Sequence, residues 1–282
     1  MRVLITSGTG NVGSRTTAPL LAAGVTPRVL SQSPEKLAAL PPGVEGALGN
    51  FEDEESLRAA LTGVDRVFLI TPLHPDEAAL GRRVIDCARV AGIERIVMLG
   101  VHRAEDAPAV PHFASKVAME AALRESGIDW NVLAANVFFQ NDLWYLDLLR
   151  DQGVYPFPLG DVGVSRVDVD DIAAAAVRLL ATDDFVNRRF ALVGPEVITG
   201  PETAATWGRH LGREVVYAGD VDAWGAQSAG LMPPWMVDDL VAMLRHFAVN
   251  GLEAQPGEEA ALEDLLGRPP GRFEEFVAAH AG

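Results

Sequence analysis

The segment MRVLITSGTGNVGS, residues 1–14, carries a short apolar run straight into a turn with glycine at 8, 10 and 13. Gly8-Thr9-Gly10-Asn11-Val12-Gly13 fits the Gly-x-Gly-x-x-Gly pattern. Glycine lets a backbone turn tightly and approach a ligand closely, and the following helix offers unpaired N–H groups and a positive dipole end. The motif alone is weak, because a tight turn can also hold nothing. Its setting between a predicted strand and a predicted helix strengthens it and reads as a cradle for a diphosphate.

The pattern beyond the turn extends the constraint. Residues 2–6, 27–31, 44–48, 66–71, 95–100 and 130–135 read as strands, several of them nearly continuous apolar runs expected of parallel strands covered on both faces. Helical patterns fill 12–23, 34–39, 54–61, 75–91 and 112–126. Ser33 before Pro34 and the acidic run Glu52–Glu55 mark helix starts, and Gly24, Gly63, Gly92 and Gly127 mark stops. Such alternation implies right-handed crossovers and an α/β, Rossmann-like, doubly wound and mostly parallel sheet. The regularity breaks after 136. A helix at 169–182, strands at 188–194 and 214–218, and helices at 233–249 and 258–267 follow. The expected division is a dinucleotide-binding domain over 1–150, with 164–194 returning to it, and a smaller interleaved substrate lobe over 151–282.

Composition excludes several classes. The formal charge of −16 and the lack of a basic stretch argue against nucleic acid and anionic membrane surfaces. No apolar run approaches the ~20 residues that cross a bilayer. The first residues lack a signal-peptide pattern, and the single cysteine, Cys87, permits no internal disulfide. The chain therefore reads as cytoplasmic, with Cys87 an inert, mostly buried thiol. No paired Cys/His spacing suggests a metal, and no Gly-x-Ser-x-Gly elbow suggests a serine hydrolase. Asp168, Asp170 and Asp171 form an acidic cluster at the start of the helical pattern over 169–182.

The sequence resembles the NmrA-like group of atypical short-chain dehydrogenases/reductases over nearly its whole length. The likeness rests on TSGTGNVG at 6–13, SPEKL at 33–37, GNFEDEESLRAALTGVDRVFLITP at 49–72, HFASKVAMEAALRESGIDW at 112–130, NVFFQN at 136–141, VDVDDIAAAA at 167–176 and LLGRPPGRFEEFV at 265–277. It implies a Rossmann sheet with a small C-terminal substrate lobe and a bound NADP or NAD. Some members reduce quinones, aldehydes or other conjugated electrophiles, whereas others are redox sensors that bind regulatory proteins. Four positions depart from the family pattern. Ser7 stands where a glycine is common, Gln32 where NADP-preferring members carry arginine, Asn50 where aspartate is frequent, and Ala134-Ala135 where Arg-Pro is frequent. Ser31, Gln32 and Ser33 could donate to a 2′-phosphate, with charge from Lys36 or Arg15. The resemblance favours NADP, with NAD as the alternative.

Typical short-chain dehydrogenases use Tyr-x-x-x-Lys. Here the spacing holds but reads His112-Phe-Ala-Ser-Lys116, and residues four apart share one helix face. The resemblance implies that Lys116 contacts the nicotinamide ribose. His112 is a candidate general acid, because imidazole suits proton transfer near neutrality; water is the other proton source. The expected cofactor contacts are the turn residues 8–13, Ser31, Gln32, Lys36, Asn50 and Phe51. Strand-end residues Thr71, Pro72, Gly100, Asn136 and Phe138, with Lys116, complete that set. Val101, Phe139, Asn141 and Trp144 suit a flat apolar substrate, and Trp224 and Trp235 are candidates for a far wall. Three functions compete: a reductase of a small apolar conjugated carbonyl or quinone, a non-catalytic nucleotide sensor with a protein partner, and a scaffold recruited for a non-redox step. The sequence leaves the oligomeric state open, a homodimer among the options.

Overall fold

The computed structural model describes residues 1–282. Its main sheet has seven strands: β1 (Arg2–Ile5), β2 (Thr26–Ser31), β3 (Glu45–Leu48), β4 (Arg66–Leu69), β5 (Arg95–Val101), β6 (Asp129–Ala135) and β8 (Arg188–Leu192). They lie in the order β3-β2-β1-β4-β5-β6-β8. The pairs β1–β2, β1–β4, β2–β3 and β4–β5 are parallel. The order reverses between β1 and β4, which is the switch point of a doubly wound sheet. The Rossmann-like class expected from strand–helix alternation is the class observed.

Parallel strands need helical crossovers, and the periodic segments supply them. These are α1 (Asn11–Ala22), α2 (Pro34–Ala38), α3 (Glu54–Leu61), α4 (Glu77–Ala91) and α5 (Pro111–Glu125). Their ends follow local chemistry. Ser33 Oγ accepts from Lys36 N to open α2, and Asp53 accepts from Glu55 N and Ser56 N to open α3. Gly92 closes α4 at φ 74°, a left-handed angle that glycine takes without a Cβ penalty. Leu4, Leu57, Val67, Leu69, Val84, Ile96, Met98, Leu123 and Val132 belong to one buried cluster. Each such side chain contributes roughly 1.5–3 kcal/mol relative to exposure. Cys87 belongs to the same cluster, and burial pushes its thiol up, consistent with a packing role.

The chain divides into two compact units. The first comprises Met1–Val101, Ser115–Ala134 and Ile172–Phe190; the second comprises His102–Ala114, Ala135–Asp171 and Ala191–Gly282. The sequence-based boundary at 150 therefore falls inside the second unit, and only 172–190 of the expected 164–194 returns to the first. The cause is the helix α6 (Val169–Ala181) and strand β8, which close the sheet edge, whereas 135–150 leaves the sheet in short helical turns.

In the first unit Arg66 and Arg95 face each other across β4 and β5, both buried. Their guanidinium groups donate to Leu179 O, Leu180 O and Thr182 O at the end of α6. The negative end of that helix dipole offsets their mutual repulsion. Burial, and then Arg66 beside it, lowers the Arg95 pKa.

The second unit contains β7 (Val154–Tyr155) paired with β9 (Val216–Tyr217), and helices α7 (Gly200–Leu211), α8 (Val221–Ser228), α9 (Pro234–Asn250), α10 (Glu258–Leu266) and α11 (Phe273–His280). The strand expected at 214–218 shrinks to two residues. The unit is organised around a fully buried carboxylate, Asp142. It accepts from Arg166 Nη1 and Nη2 at 3.1 and 2.7 Å, from Tyr155 OH at 2.8 Å and from Trp207 Nε1 at 2.9 Å. Four donors on one carboxylate offset much of the cost of burying it. No helix is long and apolar enough to cross a membrane.

Candidate functional site

The glycine turn leaves β1 at the switch point. Thr6 Oγ1 donates to Ile70 O at 2.9 Å and accepts from Ile70 N at 2.7 Å, which fastens the ends of β1 and β4 together. Ser7 then takes a left-handed φ of 50°, and Gly10 N donates back to its carbonyl at 3.0 Å. Serine, where the family pattern commonly has glycine, thus holds a left-handed angle that favours glycine. A Cβ on Gly13 would lie 2.7 Å from Gly8 Cα, and one on Gly8 would lie 2.9 Å from Val29 Cγ1. These two glycines allow the turn, α1 and β2 to pack closely. Gly10 is the N-cap of α1, with no side-chain cap and no acidic residue in the first turn. The amides of that turn are left for an external acceptor, as a diphosphate site requires.

A cavity of 350 Å³ opens against this turn. Ser7, Thr9 and Gly10 form one side, and Ser31, Gln32 and Lys36 another. Leu30, Gly49, Asn50, Phe51 and Pro72 complete it, and no carboxylate is among these residues. The sequence-derived cofactor set is thus partly gathered in one place. Leu30 and Gly49 were missed: one reads as strand core, the other as a strand end. Val12, Gly8 and Gly13 support the turn from behind. Asn50 Oδ1 accepts from Glu52 N and Asp53 N at 2.7 and 2.8 Å, leaving its Nδ2 as the group it can offer a ligand. Arg15 is engaged with Asn11 through its backbone and side-chain oxygens.

Next to Pro72, Thr71 joins a buried polar cluster. Lys116 Nζ donates to Thr71 Oγ1 at 2.7 Å and pairs with Glu77 Oε1 at 2.8 Å. Thr71 Oγ1 lies 2.5 Å from Glu77 Oε1. Lysine only donates, so the threonine hydroxyl must spend its proton on the carboxylate. Thr71, Glu77 and Lys116 are 9%, 1% and 4% exposed. Glu77 is the first residue of α4, where the helix dipole also favours a negative charge. The sequence reading missed Glu77, because the first acid of a helix reads as a solvated cap.

Other expected site residues have different surroundings. Gly100 is buried in β5, where a Cβ would meet Val132 Cγ1 at 3.0 Å and Glu120 Oε1 at 3.1 Å, so packing explains the glycine. Val101 O accepts from Arg189 Nη2. In the second unit Asn136 is a brace rather than an open ligand group. Its Oδ1 accepts from Val137 N at 2.7 Å, which fixes Nδ2 as the donor to Leu252 O at 2.7 Å and to His102 Nδ1 at 3.1 Å. His102 is fully buried and its Nε2 lies 2.9 Å from Glu258 Oε2. With Nδ1 accepting, Nε2 carries the proton that the carboxylate accepts.

Phe139, expected as a substrate wall, is a core ring: it is 1% exposed and packs at 5.2 and 5.6 Å on Phe273 and Phe276. Phe138 O accepts from Arg166 Nη2, Asn141 is half-buried and Trp144 is 76% exposed. Trp224 is buried, with Nε1 donating to Tyr145 OH; Trp235 is half-buried. His112 is half-buried at the start of α5, where its N–H donates to Asp239 Oδ1 at 3.1 Å. Asp168 Oδ1 accepts from Asp170 N, and Asp171 accepts from Arg268 and Gly271 N, so this acidic cluster is engaged in capping and in tying down the chain before α11.

The glycine turn, the switch-point cavity and the α5 lysine can be set beside known proteins. The profile of the NmrA-like family matches residues 1–276. The chain belongs to the NmrA-like family. An NAD(P)H azoreductase of Xenophilus azovorans is 32% identical over 284 residues, covering 99% of this chain and 98% of the relative. A (4-alkanoyl-5-oxo-2,5-dihydrofuran-3-yl)methyl phosphate reductase of Streptomyces griseus is 33% identical over 284 residues, with the same coverage of 99% and 98%. Among solved structures, the NADPH-dependent quinone oxidoreductase QOR2 of Escherichia coli in complex with NADPH superposes with a TM-score of 0.86 at 24% identity. It covers 98% of this chain and 99% of that one. That likeness is one of fold.

Proposed function

We propose that the chain is an NAD(P)H-dependent reductase of a small apolar conjugated carbonyl or quinone, with NADP(H) the preferred cofactor. The observation that carries this reading is the uncapped start of α1 facing a cavity built on Gly8, Gly10 and Gly13. The names of the full-length relatives, an azoreductase and a furanone-phosphate reductase, support hydride transfer to conjugated acceptors. The residues present fit a dinucleotide. The α1 amides would hold the diphosphate, and the Leu30 and Phe51 side of the cavity would pack the adenine. Ser31 and Gln32 would donate to a 2′-phosphate and Lys36 would supply its charge. A carboxylate that would accept from a bare 2′-hydroxyl is missing from the lining, which favours NADP over NAD. When bound, the cofactor supplies the hydride.

Lys116 would orient the nicotinamide ribose. Two of its three N–H donors are spent on Thr71 and Glu77, so one remains for a ribose oxygen. His112, on the same helix, or water would supply the proton. The test is a stopped-time assay of NADPH and NADH oxidation against naphthoquinones, benzoquinones and azo dyes. Quinone-dependent NADPH oxidation faster than NADH oxidation supports the reading. Saturable NADPH binding with no oxidation by any acceptor contradicts it.

A further inference from the structure

The usual short-chain dehydrogenase lysine has a tyrosine one helical turn away, and this chain has histidine there. Something else must hold the ammonium. From the buried Thr71–Glu77–Lys116 cluster, and resting on the proposed cofactor site, we infer that Glu77 is the positioning residue for Lys116. It sets one ammonium N–H free toward the nicotinamide ribose.

Lys116 Nζ reaches Glu77 Oε1 at 2.8 Å and Thr71 Oγ1 at 2.7 Å. Thr71 Oγ1 is itself oriented by Glu77 Oε1 at 2.5 Å. The carboxylate thus acts on the ammonium twice, directly and through the hydroxyl, and removes two of the three directions it could take. An ammonium 4% exposed cannot swing to water as a surface lysine does. Glu77 in turn is held by its place in the first turn of α4, so the cluster ties together the segment that follows β4, the start of α4, and α5. Thr71 precedes Pro72, which lines the nucleotide cavity, so this rigid cluster borders the proposed cofactor site. Glu77 itself touches no ligand in this account; it acts only through Thr71 and Lys116.

The experiment is NADPH titration, by calorimetry, of the wild type, E77Q, E77D, K116M and the E77Q/K116M double variant, with melting temperatures recorded in parallel. E77Q weakens NADPH binding by about tenfold or more, because the amide keeps an acceptor but loses the charge that fixes the ammonium. E77D recovers part of the loss. The double variant binds no more weakly than K116M alone, because Glu77 has nothing left to position. It also melts above K116M, since neutralising Glu77 removes a buried charge that has lost its lysine. A carboxylate with only a structural role would give E77Q and K116M effects on affinity that add.

Additive effects, or a folded E77Q that binds like the wild type, overturn the inference. If E77Q does not fold, T71V takes its place. It keeps both charges and removes the hydroxyl link, and it must weaken binding in a manner that disappears in the K116M background. NADPH binding by K116M equal to the wild type defeats this inference while leaving the nucleotide site standing. A wild type that binds no NADPH removes both.

Discussion

Ser7 stands where the family pattern commonly has glycine, and the difference bears on conformation. An L-residue at φ 50° carries a cost of about 1–2 kcal/mol, part of which glycine would return in unfolded-chain entropy. Ser7→Gly should therefore stabilise the protein by about 0.5–1 kcal/mol, read as a higher urea midpoint at constant m-value. An unchanged or lower midpoint contradicts the strained-turn account. Gly13→Ala tests the opposite face of the same turn. Its Cβ would meet backbone, Gly8 Cα at 2.7 Å, so stability should fall by about 1–3 kcal/mol and NADPH binding should be lost with it. Sequence position identified the rim residues Thr9, Gln32 and Pro72 because motif and strand end fix where they lie. It misjudged Phe139 and Asn136. A residue just past a strand end can turn to a cavity or to the core, and only the packing of Phe273 and the bonds of His102 decide which.

Among the elements, those of the first unit were legible because strand and helix patterns alternate regularly along it, and the helices expected at 233–249 and 258–267 in the second unit are observed as Pro234–Asn250 and Glu258–Leu266. The shortest elements of the second unit were not legible: β7 and β9 have two residues each, and α8 and α11 have eight. Its charged core residues, Asp142 and Arg166, read as surface in any pattern of polarity. Asp142→Asn should lower stability by about 3–5 kcal/mol, because it strands a fully buried guanidinium. A loss under about 1 kcal/mol in chemical denaturation would show that the network does not organise the unit. The start of α7 offers a smaller test. Thr199 accepts from Glu202 N while Glu202 Oε2 accepts from Thr199 N, and Thr199→Ala should cost about 0.5–2 kcal/mol. The Thr199 backbone and hydroxyl bonds hold the Glu202 carboxyl below its ordinary value. That contribution is present above the unfolded glutamate pKa and is lost as pH falls through the folded one. The destabilisation by Glu202→Gln should accordingly shrink in acid.

Over the whole molecule the three tyrosines, Tyr145, Tyr155 and Tyr217, share one property: burial, the largest cause for each, raises their phenols above 10.0. For Tyr155 the nearby Asp142 carboxylate adds to it. The native state therefore holds more protons than the unfolded chain above that pH, and stability falls as pH rises through it. Tyrosinate absorbance at 295 nm should stay low in the native protein at pH values where the urea-unfolded chain titrates. Coincident titration curves would contradict the buried placement. The α1 turn, the cavity and the Lys116 cluster all belong to the first unit, and together they make one demand on a ligand. Calorimetric titration of the purified protein with NADPH tests that demand most directly. The account predicts saturable binding at one site per chain, weakened when Lys36 is replaced by alanine and weaker for NADH. A flat thermogram at millimolar NADPH would contradict it.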